Sequence, residues 1–338
     1  MSASIPSMIA RRLLNSLFVL FVLSIMIFLF VRAMPGDPVS QILGEEAATQ
    51  GQYEELRAEL GLDRNLIAQY IHWAENALRG DLGRSMQTQD PVLPMVLLKL
   101  KATAELALTA VFMGTAMGLL LGFAAAVWRG NWIDGGSMIL SLAGVSMPVF
   151  WVGIILISLL AVKFDFFPTG GMADYSTIIA PLTGFKLVDA ILSGNGAALT
   201  DLLHHIFLPA VTLASAPAAL IARTTRASVL EVVNEDYVRA GLARGLGFGG
   251  VLLRHVLRNA MIPVVTVVGL EIGVFLGGSI VTEKLFSWPG LGSYMMSAIY
   301  SNDYTVVQGA IVIYAVIVVV VNLAVDISYG LIDPRVRK

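Results

Sequence analysis

Long apolar segments without charged residues constrain the fold of this chain more than any other feature of its sequence. Residues 13–31 carry no charged side chain, and a helix of this length, about 28 Å, matches the hydrocarbon core of a bilayer. Only 14% of all residues are charged and 57% are hydrophobic, which leaves too little polar surface for a soluble protein. The sequence therefore predicts an all-α membrane protein with several spans.

Six apolar segments are long enough to form transmembrane helices. They cover residues 13–31, 102–128, 137–162, 206–222, 261–282 and 306–332. Arg11 and Arg12 precede the first segment, as in a signal peptide, but its length and the residues after it favour an uncleaved anchor. Six spans place both termini on the same side of the membrane.

Basic residues indicate which side that is. Apart from the long segment 32–101, where charge is a weak guide, they are concentrated at both termini, at Arg129 and in the segment 223–258. The short loops on the opposite side contain only Lys163, Lys186 and Lys284. Because cytoplasmic loops are enriched in Lys and Arg, both termini are predicted to lie in the cytoplasm.

The spans divide the chain into segments with different surroundings. The predicted segments are an N-terminal segment with the first helix (1–32), a periplasmic segment (33–101), and a core of five helices (102–338) that includes a periplasmic insertion (163–205) and a cytoplasmic loop (223–260). Two short amphipathic helices are expected in the periplasmic segment, where apolar residues recur at helical spacing. They are Leu56 and Leu60, and then, after Gly61, Ile67, Ile71, Ala74 and Leu78.

The cytoplasmic loop has a pattern that suits docking of another protein. Val238, Leu242 and Leu246 fall on one helical face. Ala240 and Gly241 have little or no side chain, so they leave part of the helix backbone uncovered, and a groove on a partner could approach it closely. The alternative is a basic loop that rests at the lipid headgroups. The candidate contact residues are Glu235, Asp236, Tyr237, Arg239, Ala240, Gly241 and Gly245.

Several kinds of chemical site are excluded or disfavoured. Gly245, Gly247 and Gly250 have the spacing of a dinucleotide-binding loop, but no strand precedes them, and the chain contains no P-loop, H-E-x-x-H or G-x-S-x-G motif. It contains no cysteine. His204 and His205 point about 100° apart on a helix and make a poor metal pair. An enzyme is therefore not predicted, and energy for any transport must come from a partner or an ion gradient.

Three carboxylates, Glu105, Glu271 and Asp326, fall inside predicted spans. A charge there costs about 2.5 to 3.5 kcal/mol on insertion scales, so such residues usually face protein or water. Glu271 is nearest a span centre. It is predicted either to line a pathway or couple protons, or to form a buried structural hydrogen bond.

Glycines repeat every four residues in the second and fifth spans, at Gly114, Gly118 and Gly122 and at Gly269, Gly273 and Gly277. Such faces allow close helix packing, and the glycine face of the fifth span could also border a cavity. The pathway candidates are Glu271, Gly273, Gly277 and Gly278.

Trp288, Pro289 and Asp303 lie in the loop between the last two predicted spans. A large amphipathic ring next to a rigid turn suits an anchor for a binding protein, or a gate. The alternative for Trp288 is a place in the aromatic belt at the headgroups.

Several short strings resemble one family when they are taken together and in order. They are Met34-Pro35-Gly36-Asp37-Pro38, Gly80-Asp81-Leu82-Gly83, Arg258-Asn259-Ala260, Ser287-Trp288-Pro289-Gly290-Leu291-Gly292 and Asp333-Pro334-Arg335. The chain resembles the permease subunits of bacterial peptide ABC importers over nearly its whole length. Pro181-Leu182-Thr183-Gly184-Phe185 is similar to the insertion that lengthens the B-type subunit of dipeptide importers.

The resemblance implies a type I ABC importer permease fold with periplasmic insertions. It also implies a second permease subunit, two ATP-binding subunits that hold ATP and Mg, and a periplasmic peptide-binding protein. The cytoplasmic loop looks like the family's EAA coupling loop, with Arg239-Ala240-Gly241 at the E-A-A position and Gly245 at the following glycine. The chain departs from the general motif at Arg239, where Glu is usual, and at Arg258, where Pro is usual.

On this interpretation the chain forms half of an inner-membrane pathway for dipeptides or short peptides. The alternative is a proton-coupled secondary carrier that uses Glu271. The two differ in their energy source, because uptake by a carrier would survive loss of the ATPase and collapse with the proton gradient.

Overall fold

A computed structural model describes residues 5–33, 39, 50–59, 61–245, 247–251 and 256–332. Within these ranges the chain is helical, and its only strand-like pairing is an isolated bridge between Arg84 and Pro91. Leu60, Leu246 and the strings 34–38 and 333–335 lie outside the described residues.

The helices are numbered in chain order. They are α1 Ile5–Ala33, α2 Gln50–Glu59, α3 Leu66–Leu78, α4 Val92–Val127, α5 Trp132–Ser146, α6 Val149–Leu156 with a π-helical continuation Ile157–Lys163, α7 Lys186–Leu192, α8 Gly196–Val233, α9 Asp236–Ala243, α10 Phe248–Val251, α11 Leu257–Leu285, α12 Leu291–Tyr300 and α13 Tyr304–Ile332.

The first of two compact units comprises Met1–Lys101 and Gly290–Lys338. In it α1 packs along α13, and α12 packs on α13. The buried core includes Val96, Leu291 and Val307. The predicted amphipathic helix after residue 65 is confirmed: Asn65 caps α3 by accepting a hydrogen bond from the Ala68 N–H at 2.8 Å.

The second compact unit comprises Ala102–Pro289, and α8 lies at its centre. In the most apolar stretch of α8, 72% is buried inside the protein, because α5, α6, α7 and α11 all pack against this helix. The glycines of α4 also meet α8: a Cβ at Gly118 would lie 2.7 Å from the Ile221 side chain, and one at Gly122 would lie 2.4 Å from the Ala222 carbonyl oxygen. The glycine repeat of the second predicted span therefore serves close helix packing.

The predicted span 137–162 is not one continuous helix. The chain bends by 114° between α5 and the segment Val149–Lys163. Pro148 has no backbone N–H and disfavours helical geometry in the preceding residue, and Met147 is accordingly extended, with φ −90° and ψ 135°. Pro148 therefore interrupts the helical hydrogen bonding within the predicted segment 137–162.

The number of spans agrees with the sequence only in part. Within the described residues, four helices are long and apolar enough to cross a membrane, or five if the bent pair is one span. The 29-residue helix α11 covers the predicted segment 261–282. The count of six and the segment boundaries stay predictions, and this structure is compatible with the count.

The predicted periplasmic insertion is organised around the buried side chain of Asp189. This carboxylate accepts hydrogen bonds from the Thr183 N–H at 2.7 Å, the Thr183 hydroxyl at 2.6 Å and the Gly184 N–H at 3.0 Å. Burial opposes ionisation of Asp189, but these hydrogen bonds outweigh it and hold the pKa of the carboxyl below its usual range. The residues 181–185 are thereby tied to α7.

Asp189→Asn is expected to lower the melting temperature of the protein at neutral pH, because the amide replaces a carboxylate that accepts three hydrogen bonds. The folded-state pKa is depressed, so the carboxylate stabilises the fold above about pH 4 and loses this effect as the pH falls through the folded value. The difference in melting temperature between wild type and variant should therefore shrink below about pH 4. Asp165→Asn, an exposed site in the same insertion, serves as the control, and a difference that does not change with pH would contradict the assignment.

Candidate functional site

The predicted docking loop contains a short helix, α9, with an exposed charged face. α8 ends at Val233, and the Val238 N–H donates to the Glu235 carbonyl at 3.0 Å as α9 begins. All of the predicted contact residues except Gly241 are exposed, namely Glu235, Asp236, Tyr237, Arg239, Ala240 and Gly245. Arg239 lies 3.9 Å from Asp236 on this face. A protein partner can therefore reach the whole outer side of α9.

The opposite side of α9 is fixed to the second unit. Val238 is only 3% exposed and packs in a cluster with Val229 of α8, Ala126 of α4 and Ala260 of α11. The Asn259 side chain also donates a hydrogen bond to the Tyr237 hydroxyl at 2.8 Å. The inner side of α9 therefore shares one buried cluster with residues of three long helices.

The structure corrects the expected role of Gly241. The sequence predicts that Ala240 and Gly241 lie together on a bare surface for a partner, but Gly241 is buried in this chain and Ala240 is exposed. Gly241 therefore lets α9 lie close to its own protein, and Ala240 supplies the small outer residue. Gly245 has a positive φ of 81°, and a Cβ added there would have no atom within 4 Å, so glycine is favoured at this position by backbone conformation.

Glu271 lies at the midpoint of α11 and is partly exposed. This position is compatible with a pathway residue. The surroundings of Gly273, Gly277 and Gly278 and the side chain of Asp326 lie outside the described residues. The pathway assignments of Glu271 and these glycines stay predictions.

Trp288 is buried inside the second unit, with 1% of its surface exposed. Its indole N–H donates to the Ala102 carbonyl at 2.9 Å. Next to it, the Phe286 carbonyl accepts from the Gly171 N–H at 2.8 Å. Trp288 is therefore not a headgroup anchor on the surface, and its assignment to docking or gating, with the partly buried Pro289, stays a prediction.

Asp303 is buried in the first unit, where it ends the turn before α13. Its carboxylate accepts hydrogen bonds from the Ser85 hydroxyl, from the Met86 N–H at 3.2 Å and from the Val306 N–H at 3.2 Å. The side chain thus links the segment after α3 to the start of α13. Its predicted part in docking would have to act through this packing, because the carboxylate is 3% exposed.

Two protein-family models match this chain. The family model for the inner-membrane component of binding-protein-dependent transport systems matches residues 118–338. The model for the N-terminal part of such membrane components matches residues 6–107. The chain belongs to this permease family.

Individual relatives cover almost the whole permease. A di/tripeptide transport system permease protein of Pseudomonas aeruginosa is 44% identical over 331 residues, 98% of each chain. The dipeptide transport system permease protein of Escherichia coli K12 is 42% identical over 318 residues, 93% of this chain and 94% of the relative. A glutathione transport system permease protein of Escherichia coli is 39% identical over 329 residues, 97% of this chain and 98% of the relative.

The structure adds two buried carboxylates whose contacts the sequence did not reveal. Glu283 is fully buried in α11 and accepts a hydrogen bond from the Thr103 hydroxyl at 2.7 Å. Glu105 is 5% exposed and accepts from the Leu187 N–H at 2.7 Å, which links α4 of the permease to its insertion. Their only sequence signal was a carboxylate in or just beyond an apolar segment, which says nothing about the partner.

One group of side chains in the permease has the composition of a metal site. Ligand atoms of Asp174, Asp201 and His205 all lie within 4.8 Å of one another. However, Asp201 lies 3.0 Å from Nδ1 of His205 and Asp174 lies 3.8 Å from Nε2. The two carboxylates flank opposite nitrogens of the ring instead of converging on one point, an arrangement that favours polar links between the insertion and α8.

Proposed function

We propose that this permease forms half of the translocation pathway of an ATP-driven importer for dipeptides and other short peptides. It is a permease subunit of a peptide ABC importer by its family and by its similarity to peptide permeases. Two of the three relatives described above are named for di- or tripeptides, and the third is named for glutathione, itself a tripeptide. Similar peptide substrates are therefore the best-supported cargo.

The arrangement of α9 carries the mechanistic part of the proposal. Its exposed face, from Glu235 to Ala240, docks into a groove on an ATP-binding subunit, and its buried face, with Val238, moves α4, α8 and α11. ATP and Mg bind to the partner subunits. Closure of the ATPase pair is then converted into a change in the permease helices, because docking favours one of their arrangements.

The remaining partners follow from the family and from the membrane topology. A second homologous permease subunit completes the pathway in the inner membrane, and a periplasmic binding protein delivers the peptide. Both termini of the chain lie in the cytoplasm. Glu271 borders the pathway. Trp288 and Pro289 in the second unit, and Asp303 in the first, are the candidates for docking of the binding protein or for gating.

The energy source of uptake separates this proposal from the proton-coupled carrier. Proteoliposomes that contain the full complex, loaded with ATP and supplied with binding protein and labelled dipeptide, are expected to accumulate the dipeptide when a protonophore is present. Complexes whose ATP-binding subunits cannot hydrolyse ATP should show no uptake above background. Uptake that persists without hydrolysis and disappears with the protonophore would overturn the proposal.

A further inference from the structure

The first unit contains an apolar groove that the proposed transport function does not use. It has a volume of about 730 Å³ and is lined by α1, α3 and α13, with Leu17, Phe21, Ala74, Leu78 and Val316 among its walls. Several of these side chains are exposed on the surface of the chain, and Leu78 is 90% exposed. Because α1 and α13 are long and apolar enough to cross a membrane, a bilayer around these helices would supply acyl chains next to the groove.

A polar pocket of about 260 Å³ adjoins this groove. Trp73 and Leu82 line both cavities, so that the apolar groove leads directly to polar side chains. The rings of Phe28, Tyr70 and Trp73 lie 5.5 to 6.0 Å apart and hold α3 against the end of α1. Tyr and Trp are the residues that favour the boundary between hydrocarbon and water.

The polar pocket is built to receive an anion. Arg32 and Arg64 line it, against the single carboxylate of Asp81 among the described residues. The Arg32 Nε donates to the Gln69 side chain at 3.0 Å, and its guanidinium lies 5.2 Å from the ring of Phe28. These contacts hold the guanidinium at the mouth of the groove, where it suits the oxygens of a phosphate.

A second observation indicates a missing acceptor in the same pocket. The Nε2 of Gln308, which lines the pocket, is buried and has no hydrogen-bond partner among the described residues. A buried donor without an acceptor costs free energy. A ligand oxygen in the pocket would satisfy it.

We propose that the groove and the pocket together form a binding site for one anionic phospholipid. An acyl chain lies in the groove between α1, α3 and α13, and the headgroup phosphate contacts Arg32 and Arg64. Two features favour a lipid over a free anion or a peptide: the aliphatic walls of the groove fit an alkyl chain, and the arginines lie where such a chain would end in a headgroup. Arginine side chains recognise phosphate oxygens through several hydrogen bonds at once.

The test is a lipid titration of the purified, delipidated full complex, followed by native mass spectrometry. Dioleoylphosphatidylglycerol is compared with dioleoylphosphatidylcholine, which has the same chains and no net charge. The variant R32Q/R64Q is expected to bind phosphatidylglycerol about tenfold more weakly. Its affinity for phosphatidylcholine should fall less, because the choline already offsets the charge of the phosphate that the two arginines contact. The matched control is R57Q, which removes an exposed arginine of α2 that does not line either cavity.

A second variant keeps the result interpretable if the double variant does not assemble. Ala74→Phe fills the groove without a change of charge, and it should weaken binding of both lipids. Inorganic phosphate at millimolar concentration should not displace the lipid, because it lacks the acyl chain. Three outcomes would each overturn the proposal: equal affinity of R32Q/R64Q and R57Q for phosphatidylglycerol, displacement by phosphate alone, or no lipid bound to the complex because a second subunit covers the groove.

Discussion

Ala240→Trp is expected to lower ATP-driven peptide uptake by a factor of about thirty or more, the size of effect seen at the centre of protein interfaces. Ala240 is exposed on α9 between the charged residues that face the proposed ATPase groove. An indole at this position would fill the space that the partner occupies. The fold of the permease should not change, because the Ala240 side chain is exposed in the described part of the chain. Uptake and peptide-stimulated ATP hydrolysis in proteoliposomes would both report the loss.

Ala197→Trp provides the matched control for this experiment. Ala197 is also an exposed helical alanine, but it lies at the opposite end of α8 from the coupling helix. Gly241→Trp should also lose uptake, but through a destabilised permease, because Gly241 is buried and the larger side chain would disturb the fold. If Ala240→Trp assembles and transports normally, α9 does not dock the ATPase.

The sequence predicted those features that depend on local pattern. An uncharged apolar segment is visible without any knowledge of its neighbours. Helices accordingly cover 13–31 and 306–332, and α4 covers all of 102–128 except its last residue. The amphipathic helix α3 and the helical coupling segment with Val238 on its inner side follow from the 3.6-residue period in the same way. The family resemblance also rested on short local strings, and it is confirmed by the family match.

Features that depend on distant residues could not be predicted. Trp288 pairs with the Ala102 carbonyl, Glu283 with Thr103, and Asp303 with Ser85. Each pair joins residues that lie far apart in the chain, and nothing in a local window specifies the partner. For this reason the sequence placed Trp288 and Asp303 in an outer loop as accessible groups, whereas the fold buries both of them.

Which residues of the short helix α9 face the protein could not be predicted either. Ala240 and Gly241 are adjacent and both small, so the sequence treats them alike. In the structure Val238 joins a buried cluster with residues of α4, α8 and α11, and on the same short helix Gly241 is buried and Ala240 is exposed. The prediction of a docking surface could thus be made from sequence, but not the assignment of its central residue.

Gly122→Ala is expected to destabilise the permease by about 2 to 3 kcal/mol, as overpacking does where neither side can yield. The added methyl would lie 2.4 Å from the Ala222 carbonyl oxygen and 2.7 Å from the Thr225 Cβ. The nearer of these atoms belongs to the backbone of α8, which cannot rotate away as a side chain does. The helices α4 and α8 would have to separate, although α8 is the centre of its unit.

The two other glycines of this face allow a graded test. A Cβ at Gly118 would meet Ile221 at 2.7 Å, while one at Gly114 would meet Ala214 at 3.3 Å. The loss in melting temperature of the purified complex should therefore be smallest for Gly114→Ala. Gly136→Ala in α5 is the control, because no atom lies within 4 Å of its added methyl and alanine favours a helix over glycine by about 1 kcal/mol. That variant should be as stable as wild type or more so, since only its backbone propensity changes. Equal melting temperatures for Gly122→Ala and Gly136→Ala would contradict the close approach of the α4 and α8 backbones seen in this structure.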